Sequence, residues 1–403
     1  MATKKSNPRE RRIDPKLLAH GGIDVVFLGL VLALLTIGLI MMFSASYTYC
    51  YYNMKGDSFY YIKRQLFFAI IGVAAMFFVS RFHYKVYRRA ARPVLTISYA
   101  LLVLVLILPP PKGYAGFHRW IQIPGFGTFQ PSEIAKFAII LFLAYHIAEN
   151  YRGINSKERI DVRGVNVPTS LYCAALYLAI IGSVCILVYL ENHVSGTLLI
   201  FALGIMMLWF AGYDSKWFIV AIVGVVVLAA IVIAKPDILP AHAQPRILAW
   251  IDKDYDPLGV RWQTNNALYA IGSGGFFGVG LGNSTQKQLY VSEPQNDFIF
   301  SIVCEELGVF GAGIIILLFV ALVARGFYIG MHIKEKFPSL LACGISFQVG
   351  LQAAINIAVV TDVLPNTGIS LPFFSYGGTS LLMLLGEMGL VLGVSRYANF
   401  KKV

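Results

Sequence analysis

Charge is what this sequence has least of. Only 13% of its 403 residues are Asp, Glu, Lys or Arg, about half the share an ordinary soluble domain carries. Acidic side chains are the scarcer sign, 21 against 33 Lys and Arg. Cysteine is also rare. The five present (Cys50, Cys173, Cys185, Cys304, Cys343) contain no Cys-x-x-Cys pair. They read as small buried hydrophobes and imply neither a disulfide framework nor a zinc site. No Gly-Lys-Ser/Thr follows any glycine run, which excludes a nucleotide phosphate loop. No small-residue cleavage site follows the first apolar run. That run is too long for a signal peptide and reads as a true first span.

What the chain does have is apolar sequence, 57% of it. Runs of roughly membrane-crossing length, about 20 residues each, recur from end to end. Ten are expected, at roughly 24–45, 65–80, 93–109, 132–149, 170–190, 196–212, 216–234, 298–324, 338–360 and 373–395. The fold class is therefore an all-α polytopic membrane protein of about ten transmembrane helices, with a long extracellular loop between helices 7 and 8. Residues 1–22 form a basic N-tail, 23–396 a single membrane domain containing the 235–297 loop, and 397–403 a short C-tail. Lys and Arg cluster in the N-tail, between Arg81 and Arg92, between Arg152 and Arg163, and in the C-tail. That alternation is the positive-inside pattern and places both termini on the cytoplasmic side. The net charge of +12 is thus directed at membrane lipid and not at nucleic acid.

Two outward segments stand out. Residues 110–131 are rich in Pro, Gly and aromatics. Residues 235–297 form the longest connection, and loops of that length are functional or disordered. Trp250, Tyr255, Trp262, Phe276, Phe277 and Tyr290 argue against disorder, so short helices at the membrane surface are expected. The glycine run Gly272–Gly282 has two readings: a close-packed turn needing positive φ, or backbone approaching a sugar or diphosphate. The segment Asp362–Ser380, with Pro365, Pro372, Gly377 and Gly378, breaks helix at membrane depth. Such backbone is tolerated only inside protein or along a cavity, so the segment reads as a cavity wall.

The few charges near spans are the candidate chemistry. Asp297 lies where the long loop meets the eighth span. A carboxylate there is costly and hence a functional candidate, although Asn296-Asp297 also suits a helix N-cap. Glu305 and Glu306 follow on the same helix, about 12 Å further along, too far to share a proton with Asp297. One of the two is expected to face the bundle interior. Glu133 and Lys136 open the fourth span at i, i+3 spacing and either neutralise each other or present Lys136 to an anionic headgroup. Glu191 and His193 sit in the turn between spans five and six. With no third ligand at metal spacing they make a poor metal site.

Several of these segments together resemble the SEDS family of shape, elongation, division and sporulation proteins, of the FtsW, RodA and SpoVE kind. The resemblance runs from about Asp24 to Arg396. It is carried by His118-Arg119-Trp120-Ile121, Gln130-Pro131-Ser132-Glu133 with Lys136, Gly272–Gly282 with Asn283-Ser284, Asp297-Phe298-Ile299-Phe300 with Glu305-Glu306-Leu307-Gly308, and Leu371-Pro372-Phe373 with Ser375-Tyr376-Gly377-Gly378. It implies an inverting peptidoglycan glycosyltransferase of the bacterial cytoplasmic membrane, leaning to the division type. Such an enzyme polymerises lipid II, an undecaprenyl-diphosphate-linked disaccharide peptide, at the outer face. It works beside a class B penicillin-binding protein and other divisome or elongasome membrane proteins. Asp297 matches the family's catalytic aspartate; Glu133 and Lys136 match its functionally important pair, and Ser375 joins the substrate-binding candidates. A departing diphosphate needs positive charge, for which Lys136, Arg119, Arg246, Arg261 and Lys287 are candidates, or a divalent cation such as Mg or Mn; no residue is assigned as a metal ligand. The chain departs from the family at Glu191-Asn192-His193-Val194-Ser195-Gly196-Thr197, where many members read Gln-Pro-Asp-x-Gly-Thr, so that aspartate's role does not carry over. Gln295-Asn296 replaces the common His-Thr. Two other readings remain open: a lipid II flippase, which needs polar contacts through both halves of the bilayer, and a scaffold that only recruits a transpeptidase.

Overall fold

The computed structural model of the protein describes residues 21–110, 117–123, 127–151, 159–162, 165–239 and 243–398. Most of the basic N-tail, the end of the C-tail, Arg152 and Arg163 lie outside the described residues, as do parts of the 110–131 segment. Helices account for most of the described residues. In order they are α1 (Val25–Asn53), α2 (Tyr60–Val79), α3 (Tyr84–Ile107), α4 (Pro131–Glu149), α5 (Thr169–Leu190), α6 (Val194–Phe210), α7 (Ser215–Ala234), α8 (Gln244–Ile251), α9 (Trp262–Gly274), α10 (Ile299–Met331), α11 (Lys336–Val360) and α12 (Gly378–Ser395). Two antiparallel hairpins, β1 (Ile121–Ile123) with β2 (Gly127–Phe129) and β3 (Arg159–Val162) with β4 (Val165–Pro168), flank α4.

Eight of these helices are long and apolar enough to cross a bilayer, and α6 and the Phe218–Ala234 part of α7 are shorter apolar helices. The ten expected spans are therefore all present as helices, with different ends. α1 holds no charged residue across 29 positions and runs well past residue 45, because nothing in Ser46–Asn53 breaks a helix. Its start is fixed by Asp24, whose Oδ1 accepts from Phe27 N at 2.8 Å. α4 begins on Pro131 at its first turn, where proline lacks only a hydrogen bond that would be unmade anyway. The last span is shorter than its apolar run. Pro372 and Gly377 hold Leu371–Gly377 as a buried turn, and helix resumes only at Gly378.

The bundle is held by extensive pairing of α2 with α12, α10 with α11, α3 with α4 and α1 with α10. α7 is the exception, since none of its described side chains is buried. The long connection after it folds into α8 and α9, and α9 packs on α10.

α10 is broken at Gly308, where φ is 67°. That conformation suits only glycine without strain, and a Cβ there would collide with Phe276 O and Gly278 N. The glycine run repairs the break. Val279 N and Gly280 N donate to the carbonyls of Glu305 and Glu306 at 2.9 and 3.1 Å, while Val309 N and Phe310 N donate back to Gly275 and Phe276 at 3.0 Å each. Of its two sequence readings, the close-packed turn is the one observed. Both Glu305 and Glu306 are buried, not one of them. Glu305 accepts from Ser284 Oγ and from Thr285 N at 2.9 Å. Glu306 pairs with Lys287 Nζ at 2.7 Å and accepts from Ser44 Oγ at 2.7 Å.

Lys287 therefore stands outside the substrate candidates: its ammonium is consumed by Glu306, Ser44 and Gly282 O. Removing one partner of a buried ion pair leaves the other charge uncompensated, at about 3–5 kcal/mol. Lys287→Met should accordingly sharply lower folded yield and melting temperature in detergent. Lys287→Met combined with Glu306→Gln should recover much of both. A stable, well-folded Lys287→Met that has lost only activity would return Lys287 to the substrate.

Candidate functional site

A cavity of about 460 Å³ opens beside the start of α10, within the range of small-molecule sites, and Asp297 lines it. Around Asp297 stand Arg119 and Trp120 ahead of β1, Glu133 of α4, His193 of the α5–α6 turn, Arg246 of α8, and the Gly368–Ser380 segment. The walls come from chain stretches far apart in sequence, and local hydrogen bonds explain how each is aimed.

Asp297 is held from behind. Asn356 Nδ2 on α11 donates to Asp297 O and to Ile369 O, both at 2.7 Å. Ser375 Oγ donates to Asn296 O at 2.9 Å and accepts from Leu371 N at 2.7 Å. Tyr376 N donates to Gln295 O at 2.8 Å. Gln65 on α2 spans the same turn, donating to Ser375 O and accepting from Gly377 N. Ser375 thus lines the cavity with its hydroxyl already committed to backbone, as a support for Asp297. The cost of these buried backbone groups would be about 1–3 kcal/mol each if left unpaired.

The charges around Asp297 are of both signs. Burial pushes its carboxyl up to about 6, with Glu293 adding to the rise and Arg246 and Arg119 opposing it. Arg119 is pushed down to about 10 by burial and by the like charge of Arg246. It stacks over Phe117 and Trp120 and donates to Asn192 O. Arg246 is also lowered by burial, and its guanidinium reaches Asn366 O at 3.5 Å. His193 is pushed down to about 3 by burial, Arg119 and Lys136. It is neutral at any working pH, with Nδ1 accepting from Gln130 Nε2 at 3.4 Å.

Lower in the cavity, Lys136 Nζ meets Glu133 Oε1 at 2.9 Å and Gln352 Oε1 at 3.2 Å, so the i, i+3 pair forms. Gln352 Nε2 turns to Ser370 at 3.3 Å. Deeper still, Gln348 Nε2 donates to Glu387 Oε2 at 2.8 Å. Gln348, Gln352, Asn356 and Glu387 were not singled out from sequence. The signal for the first three was the four-residue spacing of amides along α11, which stacks them on one face. For Glu387 it was a lone acid in an apolar span.

Of the sequence candidates, the structure brings together Asp297, Glu133, Arg119, Arg246 and Ser375 on one cavity. Lys136 lies at its edge, in a small adjoining pocket with His193 and Gln352. Arg261 lies elsewhere, paired with Asp362 at 2.7 Å, and Lys287 is in the α10 pair. Among the described residues no three His, Cys, Asp or Glu side chains gather as a metal site. His193 faces the cavity while Glu191 is buried behind it, so the residues do not form a cage for a divalent cation, and no chemical step is assigned to one.

Known proteins show the same architecture. A solved structure described as "Structural coordination of polymerization and crosslinking by a peptidoglycan synthase complex" superposes with TM-score 0.73 at 24% identity, over 93% of this chain and 98% of that one. The rod shape determining protein RodA of Thermus thermophilus gives TM-score 0.63 at 24% identity, over 94% and 98%. Closer in sequence are stage V sporulation protein E of Bacillus subtilis (strain 168), 37% identical over 99% of this chain and all of its own length, and the probable peptidoglycan glycosyltransferase FtsW of Trichlorobacter lovleyi, 37% identical over 92% of this chain and 93% of its own. The family profile of the FtsW, RodA and SpoVE cell cycle proteins matches residues 25–400. The chain belongs to that family, the SEDS proteins.

Proposed function

We propose that this protein is a peptidoglycan glycosyltransferase that polymerises lipid II at the outer face of the cytoplasmic membrane. The observation that carries the reading is Asp297 beside two guanidinium groups in one cavity: a carboxyl raised to about 6 and a cationic wall from Arg119 and Arg246. The distribution of Lys and Arg supports termini on the cytoplasmic side and a cavity mouth on the other. Family membership supports a class B penicillin-binding protein as the partner that cross-links the strands.

The reaction balances as one displacement. An acceptor sugar hydroxyl attacks the anomeric carbon of the lipid-linked donor, and its proton passes to a carboxylate oxygen of Asp297. The bond from that carbon to the diphosphate breaks, and its electron pair leaves on the diphosphate oxygen. Attack from the opposite face inverts the anomeric centre. A base with its pKa near working pH combines the right ionisation state with adequate driving force, and such catalysis contributes about 10²–10⁴-fold. Arg119 and Arg246, both lining the cavity, would supply the positive charge that the departing diphosphate needs. Lys136, held by Glu133 and Gln352, is the next cation inward and suits a phosphate oxygen.

A second reading, lipid II translocation, draws on one observation: Gln348 and Glu387 carry the polar lining down α11 and α12. Purified protein given lipid II alone separates the readings. Glycan strands on a gel support the enzyme; transfer of lipid II between leaflets without strands supports the flippase.

Asp297→Asn should reduce polymerisation by at least about 10²-fold at unchanged folded yield, and strand synthesis at wild-type rate would remove Asp297 from the chemistry. In the parent protein, polymerisation should rise with pH through about 6 as the base ionises. The linked stability effect has the opposite sign. A carboxyl whose pKa is raised by folding is destabilised as its anion, so ionisation costs stability above its unfolded pKa, fully so above about 6. Asp297→Asn should melt higher than the parent at neutral pH, and the difference should vanish below about pH 4. Lys136→Ala should lower turnover more than it lowers folded yield; equal losses would reduce Lys136 to a structural partner of Glu133.

A further inference from the structure

Glu191 is a buried carboxyl beside the cavity that the reaction above does not use. It caps α5 at the turn into α6 and is 0% exposed, with neither oxygen bonded to any protein group. The nearest charge is Arg119, whose Nε is likewise buried without a partner. Arg119 is anchored on this very turn, through Asn192 O, while its charge also acts on Asp297. One guanidinium therefore stands between two carboxyls, tied only to the backbone beside the first. A buried, unbonded carboxylate costs several kcal/mol, so the group must either stay neutral or capture a cation.

We propose that Glu191 is a positioning residue for Arg119. As the neutral acid it leaves the guanidinium free for the diphosphate of a lipid-linked donor, and as the carboxylate it draws the guanidinium back out of the cavity. The proposal rests on the glycosyltransferase reading for its ligand, a lipid diphosphate.

Burial pushes the Glu191 carboxyl up to about 8, with only Arg119 pulling it back. Below that pH the acid is neutral and Arg119 is available; above it the pair closes. Arg119 itself is lowered to about 10, just above the range tested below. His193 on the same turn is neutral above about 3, and Gln130 just before α4 and Ser132 within it, which bond His193, carry no charge. Lys136 acts on His193 from α4, and Arg246 and Asp297 lie beyond Arg119.

The test uses the full chain in detergent with farnesyl diphosphate, a soluble lipid diphosphate, as the probe. Between pH 7 and 9.5 the parent protein should lose affinity by about tenfold, the scale of one charge-assisted contact. Glu191→Gln, an isostere of the neutral acid, should stay within about twofold across the same range. Arg119→Ala should bind weakly throughout. Three results overturn the proposal: parent affinity flat across that range, Glu191→Gln falling in parallel with the parent, or Arg119→Ala binding as tightly as the parent. The first needs no variant to fold. If binding behaves as expected but the parent makes no strands from lipid II, the glycosyltransferase reading fails and this one stands. Strand synthesis with pH-independent binding sinks this one alone.

Discussion

One amide holds the site together. Asn356 gives both hydrogens of its side chain to carbonyls, one of Asp297 and one of Ile369, and so joins α11, the start of α10 and the segment leading to α12. A catalytic carboxyl must be held to within about 0.5 Å by side chains that are themselves fixed, and Asp297 has its own side chain pointed at the cavity. Its precision must therefore come from its backbone. Ser375 and Tyr376 N repeat the device one and two residues upstream, and Gln65 passes the constraint on to α2. In the cavity wall, the turn ahead of α12 aims Ser375 Oγ and Tyr376 N at the carbonyls of Asn296 and Gln295.

Charges in this protein fall into two kinds, distinguished by what they leave unpaired. Lys287 with Glu306, Arg325 with Asp24, and Arg261 with Asp362 are closed pairs at 2.7 Å; they hold segments together and present nothing outward. Around the cavity the pattern reverses. Arg119 Nε, both oxygens of Glu191, Gln295 Oε1, Gln348 Oε1, Asn356 Oδ1 and Thr367 Oγ1 are buried without a protein partner. Native proteins leave few such atoms, and each calls for a reason. Their concentration on the segments around one cavity is the expected signature of a site that completes its hydrogen bonding with substrate and water. The same low dielectric that raises Asp297 strengthens any bond a diphosphate makes to Arg119 and Arg246.

The spans were legible because length and apolarity fix them locally, and Asp297, Glu133 and Lys136 stood out because charge is rare in such a sequence. Arg246 was legible only as a member of a list of cations, and Arg119 as another member that also falls in the His118-Arg119-Trp120-Ile121 motif. What separates them from Lys287 and Arg261 is tertiary: Lys287 finds Glu306 nineteen positions away across a broken helix, and Arg261 finds Asp362 across the long loop. No spacing rule spans such distances. The break itself was half legible. The glycines announced positive φ, but that their backbone would substitute for a missing turn of α10 depends on a pairing between two segments neither of which reads as a strand. Ser375 marks the opposite limit, a residue placed correctly on the cavity whose hydroxyl faces backbone.

The depth of the polar lining bears on how one-sided the protein is. Gln348 lies eight residues from Asn356 on α11, about 12 Å of helix, against a hydrocarbon thickness of about 30 Å. Gln348 and Glu387 carry the cavity deeper than the residues that stand out from sequence. Below Glu387 the character changes. Gly389 sits against the backbone of Met76, so α2 and α12 meet there nearly backbone to backbone. That helix pair is also the most extensively packed in the bundle. A path to the other face between these two helices would have to separate them and expose buried apolar surface. An enzyme needs only what is present: a polar chamber open on one side, deep enough to receive a diphosphate while its lipid tail stays in the bilayer, and closed where the tail has no reason to go.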